Sequence, residues 1–170
     1  SICLSLTKSD AMNDKMATAE YRRILSKMCD LCSKSEKCRS EIAEKLKANG
    51  IASDEREQIL DFLIREKYID EQRYAISFVR DKFRFNKWGK IKLAYMLRAK
   101  GVGSHDIDAA LAEIAPEGYR EALEALLQSK YRSLRSTDDY ETIAKLVRFA
   151  QSHGFEAELA VEVAKGICRS

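Results

Sequence analysis

One proline and seven glycines stand in 170 residues, so almost nothing in the chain forces a helix to stop. Histidine is scarce too, with two. His105 and His153 fall in or beside expected turns, and neither has an obvious nucleophile partner in sequence. Each reads as a helix-end residue rather than a catalytic base. No glycine loop of either common phosphate-cradling type is present. The acid pairs Asp138/Asp139 and Glu55/Glu57 fall in helix first turns, where the positive helix end already explains them. No catalytic residue is therefore expected. Five cysteines are an odd number in a chain of this length, which reads as a reduced cytoplasmic protein. The segment Ile2-Cys-Leu-Ser-Leu6 is too short for a secretory apolar core or a membrane span. Residues 1–17 carry no periodic apolar face, so a loose tail is expected there.

What is present is a repeated helix ending. A glycine closes the same kind of apolar pattern at Gly50, Gly101 and Gly154, about every fifty residues. Eight positions before each glycine stand Ile42, Leu93 and Leu146; four before stand Leu46, Leu97 and Ala150. Ile51, Val102 and Phe155 follow directly. Periodicity of this kind marks a repeat architecture, in which each unit buries its apolar stripe against a neighbour. Repeats of this sort build long surfaces for macromolecules rather than closed pockets for small substrates.

Apolar spacing and caps predict an all-α chain of about nine helices. The first runs from about Thr18 to Leu31. Ser35, Ser53, Asp70, Ser104 and Thr137 are expected to cap the second, third, fourth, sixth and eighth. The fifth begins near Trp88, the seventh runs from Pro116 to about Leu134, and the ninth follows Gly154 with Leu159, Val161 and Val163 inward. Three glycine landmarks over nine helices give three tandem three-helix repeats, spanning 18–67, 68–115 and 116–170. Three small bundles in a row imply an elongated molecule.

Cys29, Cys32 and Cys38 lie within ten residues, but zinc would need a fourth soft ligand and none is near in sequence. Reduced, metal-free thiols are expected. Charge is more informative. The net charge of +3 conceals a basic middle and an acidic neighbour. From Arg80 to Lys100 there are eight Lys or Arg and a single acid, Asp81; Gly101 to Leu126 carries six acids against Arg120 alone. The candidate binding residues are Arg80, Lys82, Arg84, Lys87, Lys90 and Lys92. A one-sided run repels itself unless something neutralises it, and a polyanion would. The interleaved Phe83, Phe85 and Trp88 read first as anchors at the joint between the fourth and fifth helices. Lys87, Lys90 and Lys92 are expected to tolerate reversal to glutamate with little loss of stability, as surface charges do.

The middle third resembles a known family. Tyr68-Ile-Asp-Glu-Gln-Arg-Tyr-Ala-Ile-Ser-Phe78, then Trp88-Gly-Lys-Ile-Lys-Leu-Ala-Tyr-Met-Leu-Arg-Ala-Lys-Gly-Val102, is similar to the central repeat of RecX regulatory proteins. Ser35, Glu41, Ile42, Lys45 and Leu46 resemble the family's first-repeat pattern, and Gly154-Phe155 resembles the ending of its third. Tyr74 replaces the usual phenylalanine, and Trp88 precedes the glycine where smaller or charged residues are commoner. The resemblance implies a curved three-repeat molecule and a non-enzymatic modulator of the RecA recombinase. It implies a monomer lying along the RecA–DNA filament, suppressing ATPase, strand exchange and coprotease activity. Single-stranded DNA is the second implied partner, bound weakly alone, and no membrane is involved. Two other classes fit the same charges: a helical nucleic-acid-binding module acting without RecA, and an adaptor whose basic stretch binds an acidic protein.

Overall fold

Long runs of good helix formers with stripes at three- and four-residue spacing leave the backbone one economical way to satisfy its own polar groups. The structure, a computed structural model, describes residues 18–170. The tail expected over 1–17 lies outside the described residues. Nine α-helices follow in order: α1 (Ala19–Lys34), α2 (Arg39–Ala48), α3 (Ser53–Arg65), α4 (Glu71–Asn86), α5 (Lys90–Ala99), α6 (Ser104–Ala112), α7 (Pro116–Ser133), α8 (Asp139–Ser152) and α9 (Ala157–Arg169). No strand occurs among the described residues. The all-α expectation holds.

Several helix starts differ from the sequence reading by one to three residues. Ser35 ends α1, where its N–H donates to the Leu31 carbonyl, and Cys38 stands at the start of α2. There the Cys38 N–H donates to Glu41 Oε2 at 3.3 Å, a reciprocal use of the third helical residue that serine would ordinarily signal. Thr137 yields to Asp138, whose Oδ1 accepts from the Tyr140 N–H at 3.0 Å. Ser53 and Ser104 are the first residues inside their helices rather than the caps. Thr18 caps α1 through Oγ1, which accepts from the Tyr21 N–H.

The three glycines end their helices identically. Gly50, Gly101 and Gly154 have φ of +75°, +82° and +90°. The N–H of each following residue reaches back to the carbonyl five positions earlier: Ile51 to Leu46, Val102 to Leu97 and Phe155 to Ala150, each at 3.1 Å. Each glycine N–H bonds three back, to Lys47, Arg98 and Gln151. This double closure satisfies carbonyls the helix would otherwise strand, and only glycine enters the left-handed region without a steric cost. The fourth use of the device could not be read from composition. Lys67, at φ 62°, closes α3 the same way, with the Tyr68 N–H on the Leu63 carbonyl at 2.8 Å. Replacing Gly101 with valine is expected to destabilise by about 1 kcal/mol or more, since a β-branched residue resists this conformation. Thermal unfolding followed by circular dichroism checks it; an unchanged melting temperature would refute it.

The chain forms two compact units that divide between Asp70 and Glu71. In the first, Tyr21, Ile24, Met28 and Cys32 of α1 meet Ile42 and Leu46 of α2 and Ile59, Leu60 and Leu63 of α3. Ile64, next to Leu63 on α3, is 38% exposed. The second unit holds α4–α6 and α7–α9. Leu93, Leu97, Val102, Ile107 and Ala110 are buried around the first of these triplets, and Tyr119, Leu123, Leu127, Leu146, Phe155 and Val163 around the next. The positions eight and four before each glycine are all fully buried: Ile42, Leu93, Leu146, and Leu46, Leu97, Ala150; of the residues that follow the glycines, Val102 and Phe155 are buried and Ile51 is half-buried. In α9 the inward stripe is Ala160, Val163, Ala164 and Ile167, while Val161 is only half-buried. Alanines carried that stripe, and their small side chains hid it from a reading that followed bulk.

Candidate functional site

The basic stretch spans the end of α4, a three-residue joint and the start of α5. Its six cations separate into two sets. Arg80 and Arg84 are one turn apart on α4 and share a face, Lys87 is the first residue beyond the helix, and all three are exposed and border the same groove. None of them is ion-paired with a carboxylate among the described residues. The Arg84 guanidinium lies 5.2 Å from the Phe85 ring, and Lys87 Nζ donates to the Arg84 carbonyl at 3.1 Å. Lys87 itself sits at φ 58°, which turns the chain out of α4.

Lys82, Lys90 and Lys92 are half-buried and lie over aromatic rings. Lys82 Nζ stands 5.3 Å from the Trp88 ring centre and 5.9 Å from that of Phe78. Lys92 Nζ is 4.8 Å from the Trp88 centre, and Lys90 Nζ is 4.8 Å from the Tyr119 centre. Such pairs hold the ammonium groups by the ring quadrupole while their stems cover apolar surface. Trp88 also meets Phe78 at 6.1 Å, and Phe83 stacks on Tyr119 at 6.0 Å and 16°. Phe83 and Trp88 are therefore anchors. Phe85 is not; it is 69% exposed beside Arg84.

A backbone junction fixes the stretch against its neighbours. The Gly89 N–H donates to the His153 carbonyl at 2.7 Å, and the Ile91 N–H to the Gly154 carbonyl at 3.0 Å. The Lys90 N–H donates to the Tyr119 hydroxyl at 2.9 Å, and that hydroxyl donates to Glu156 Oε2 at 2.7 Å. Stranded donors at the start of α5 are thus taken up by the end of α8 and the side of α7. His153 Nδ1 donates to the Lys87 carbonyl at 3.1 Å, giving this histidine a structural task at the helix end. Burial, and then the Glu156 carboxylate, push the Tyr119 phenol well above its usual range.

Tyr119→Phe is expected to destabilise the second unit by about 1–2 kcal/mol at neutral pH, because two part-buried groups, the Lys90 N–H and the Glu156 carboxylate, lose their partner. The raised phenol adds a pH signature. Its stabilising contribution is complete below the unfolded tyrosine value of about 10 and is lost as pH rises toward the folded value. Melting temperatures of the two proteins should therefore converge above about pH 10; a constant difference would contradict the assignment.

Beside the exposed cations lies a groove of about 640 Å³ between α4 and α7. Ile76, Val79 and Phe83 line it from α4, Ala122 and Leu126 from α7, and Ile114 from the turn before α7. Among the described residues the cysteines form no comparable site. Cys32 and Cys38 are buried, and burial raises the Cys29 thiol above its ordinary value, with Tyr68 as a hydrogen-bond partner. No cluster of three or more histidine, cysteine or acidic side chains is placed to hold a metal among the described residues. None of the described helices is long and apolar enough to cross a membrane.

Residues 70–111 match the second three-helix domain of RecX, and residues 117–163 match the third. A relative from Clostridium botulinum (strain Eklund 17B / Type B), "Regulatory protein RecX", is 32% identical over 160 residues, covering 93% of this chain and 73% of its own length. The chain belongs to the RecX family. A RecX from Limosilactobacillus reuteri (strain DSM 20016) is 29% identical over 159 residues; this chain spans 60% of that longer relative. A crystal structure of a regulatory protein RecX matches with a TM-score of 0.77 at 28% identity, over 85% of this chain and 73% of the other. RecX from Lactobacillus salivarius, at 19% identity and a TM-score of 0.75, shares the fold. All six candidate cations fall inside the match to the second RecX domain.

Sequence reasoning found the cations but not Tyr119 or the groove. Tyr119 stood in the acidic stretch, three residues into α7, with no local signal of its partners. The groove's only trace is the run of small residues Gly118, Ala122, Ala125 and Ser129 along one side of α7.

Proposed function

We propose that this RecX-family protein is a non-enzymatic regulator of the RecA recombinase. It binds the RecA–DNA filament as a monomer in the cytoplasm and suppresses RecA ATPase, strand exchange and coprotease activity. The three helix triplets divide at 18–67, 68–115 and 116–170, and the second presents the basic face to the polyanionic filament. The observation that carries this reading is the row Arg80, Arg84 and Lys87, exposed along one groove and unpaired with carboxylates among the described residues. A charge row of that kind gains most from phosphate, because neutralising phosphates releases condensed counterions. The regulator contributes no cofactor; the nucleotide belongs to RecA. Single-stranded DNA alone is bound weakly, since three solvent-screened cations are a small footprint.

The test is RecA ATPase on single-stranded DNA with increasing protein. A progressive fall in rate is expected. Unchanged ATPase, with binding to naked single-stranded DNA as tight as to the filament and equally salt-sensitive, would favour a nucleic-acid module independent of RecA.

A further inference from the structure

The groove between α4 and α7 has a shape and lining that phosphate binding does not use. Its walls are aliphatic, and its volume of about 640 Å³ suits several side chains rather than one. An open apolar trough of that size marks a binding surface. One lip carries Arg80, Arg84 and Lys87. The other is the small side of α7, where Gly118, Ala122, Ala125 and Ser129 let another backbone come close. Glu113 is the one carboxylate in the lining, against three cations.

We infer that this groove takes a short amphipathic helix from a protein partner, with leucine-like side chains on one face and carboxylates flanking them. Three features favour that occupant over nucleic acid. The lining offers a single aromatic ring, Phe83, which is already stacked on Tyr119, so bases would find no free platform. Both walls are helices with their own hydrogen bonds closed, so no strand edge exists for an extended peptide to join. A helix brings its own backbone bonds into an apolar trough and needs none from the walls. The cationic lip then matches the carboxylates, giving direction and specificity as well as encounter rate.

The inference rests on the regulatory reading only in supposing a protein partner, and its test does not require RecA. The probe is a fluorescein-labelled synthetic peptide with three leucines spaced four and three residues apart, glutamates beside them and alanine elsewhere. Fluorescence anisotropy with the full chain should show saturable binding. Replacing the leucines by serine, or the glutamates by glutamine, should each weaken it at least about tenfold, or about 1.4 kcal/mol. In the protein, A125W should fill the groove from an exposed lip position with a similar loss. S129E, also on the lip, gives a second route if A125W fails to fold, as judged by circular dichroism. Absence of saturable binding up to about 1 mM peptide overturns the proposal. So does equal binding of the serine peptide, which would leave only a charged surface. If A125W weakens binding of a thymidine oligonucleotide as much as that of the peptide, the groove is a nucleic-acid site and the proposal is wrong. RecA inhibition without peptide binding would remove the groove and keep the regulatory role; peptide binding without RecA inhibition would do the reverse.

Discussion

Gly154→Ala is expected to lower the melting temperature of the second unit by at least about 10 °C. Two independent costs meet at this residue. Its φ of +90° disfavours any side chain, which is worth roughly 1–2 kcal/mol. A Cβ there would also coincide with Lys92 Cβ and stand 2.6 Å from the Lys92 nitrogen. That nitrogen belongs to the first turn of α5, which is held by the Ile91 bond to the Gly154 carbonyl, so it cannot withdraw without breaking the junction. Overpacking of this kind adds typically about 1–3 kcal/mol. Two companion variants separate the terms. Gly101 has a similar φ, +82°, but open space around it, so Gly101→Ala should show the backbone cost alone, about 1 kcal/mol. Gly89 has an ordinary backbone, φ −80°, but a Cβ there would lie 2.5 Å from the Phe155 nitrogen and against the Gly154 carbonyl. Gly89→Ala should therefore show the steric cost alone. Calorimetry on the three alanine variants should rank Gly154 as most destabilised. A Gly154 variant no worse than the Gly101 variant would mean that the α5–α8 junction yields.

That ranking also shows what a sequence can and cannot disclose. Gly50, Gly101 and Gly154 carry the same local signal, because a left-handed helix ending is a property of a few consecutive residues. Every fully buried position marked by the pattern was legible for the same reason. Nothing local separates Gly154 from the others; its second burden comes from Gly89 and Lys92, which fold against it from far along the chain. The cations divide the same way. Their identity was plain, but Lys82, Lys90 and Lys92 rest on rings whose positions depend on tertiary packing, and Tyr119 is 29 residues from Lys90. A reversal of Lys87, Lys90 and Lys92, chosen from the sequence alone, would mix one exposed charge with two that hold aromatic faces. The cap at Cys38 escaped because thiols seldom take that place, and the groove escaped because a gap between helices leaves only small residues behind.

Reversing Arg80, Arg84 and Lys87 together to glutamate should therefore separate function from folding. All three side chains are exposed, and none balances a carboxylate among the described residues, so helicity and melting temperature should hardly move. Binding to single-stranded DNA and to the RecA filament should fall at least about tenfold. Its salt dependence should flatten by about two units of log–log slope, the loss of three single-strand phosphate contacts. Inhibition of RecA ATPase should be lost at concentrations where the parent protein is effective. The contrasting triple, Lys82, Lys90 and Lys92 to glutamine, removes ammonium groups from the Trp88 and Tyr119 rings. Each pair is worth about 0.5–1 kcal/mol, so this protein should melt lower yet still inhibit while folded. The two triples make opposite forecasts in the same pair of assays, circular dichroism melting and the ATPase titration. A folded Arg80/Arg84/Lys87 variant that inhibits fully would move the working surface to another helix triplet. A folded Lys82/Lys90/Lys92 variant that fails to inhibit would place it on the ring-bound lysines instead.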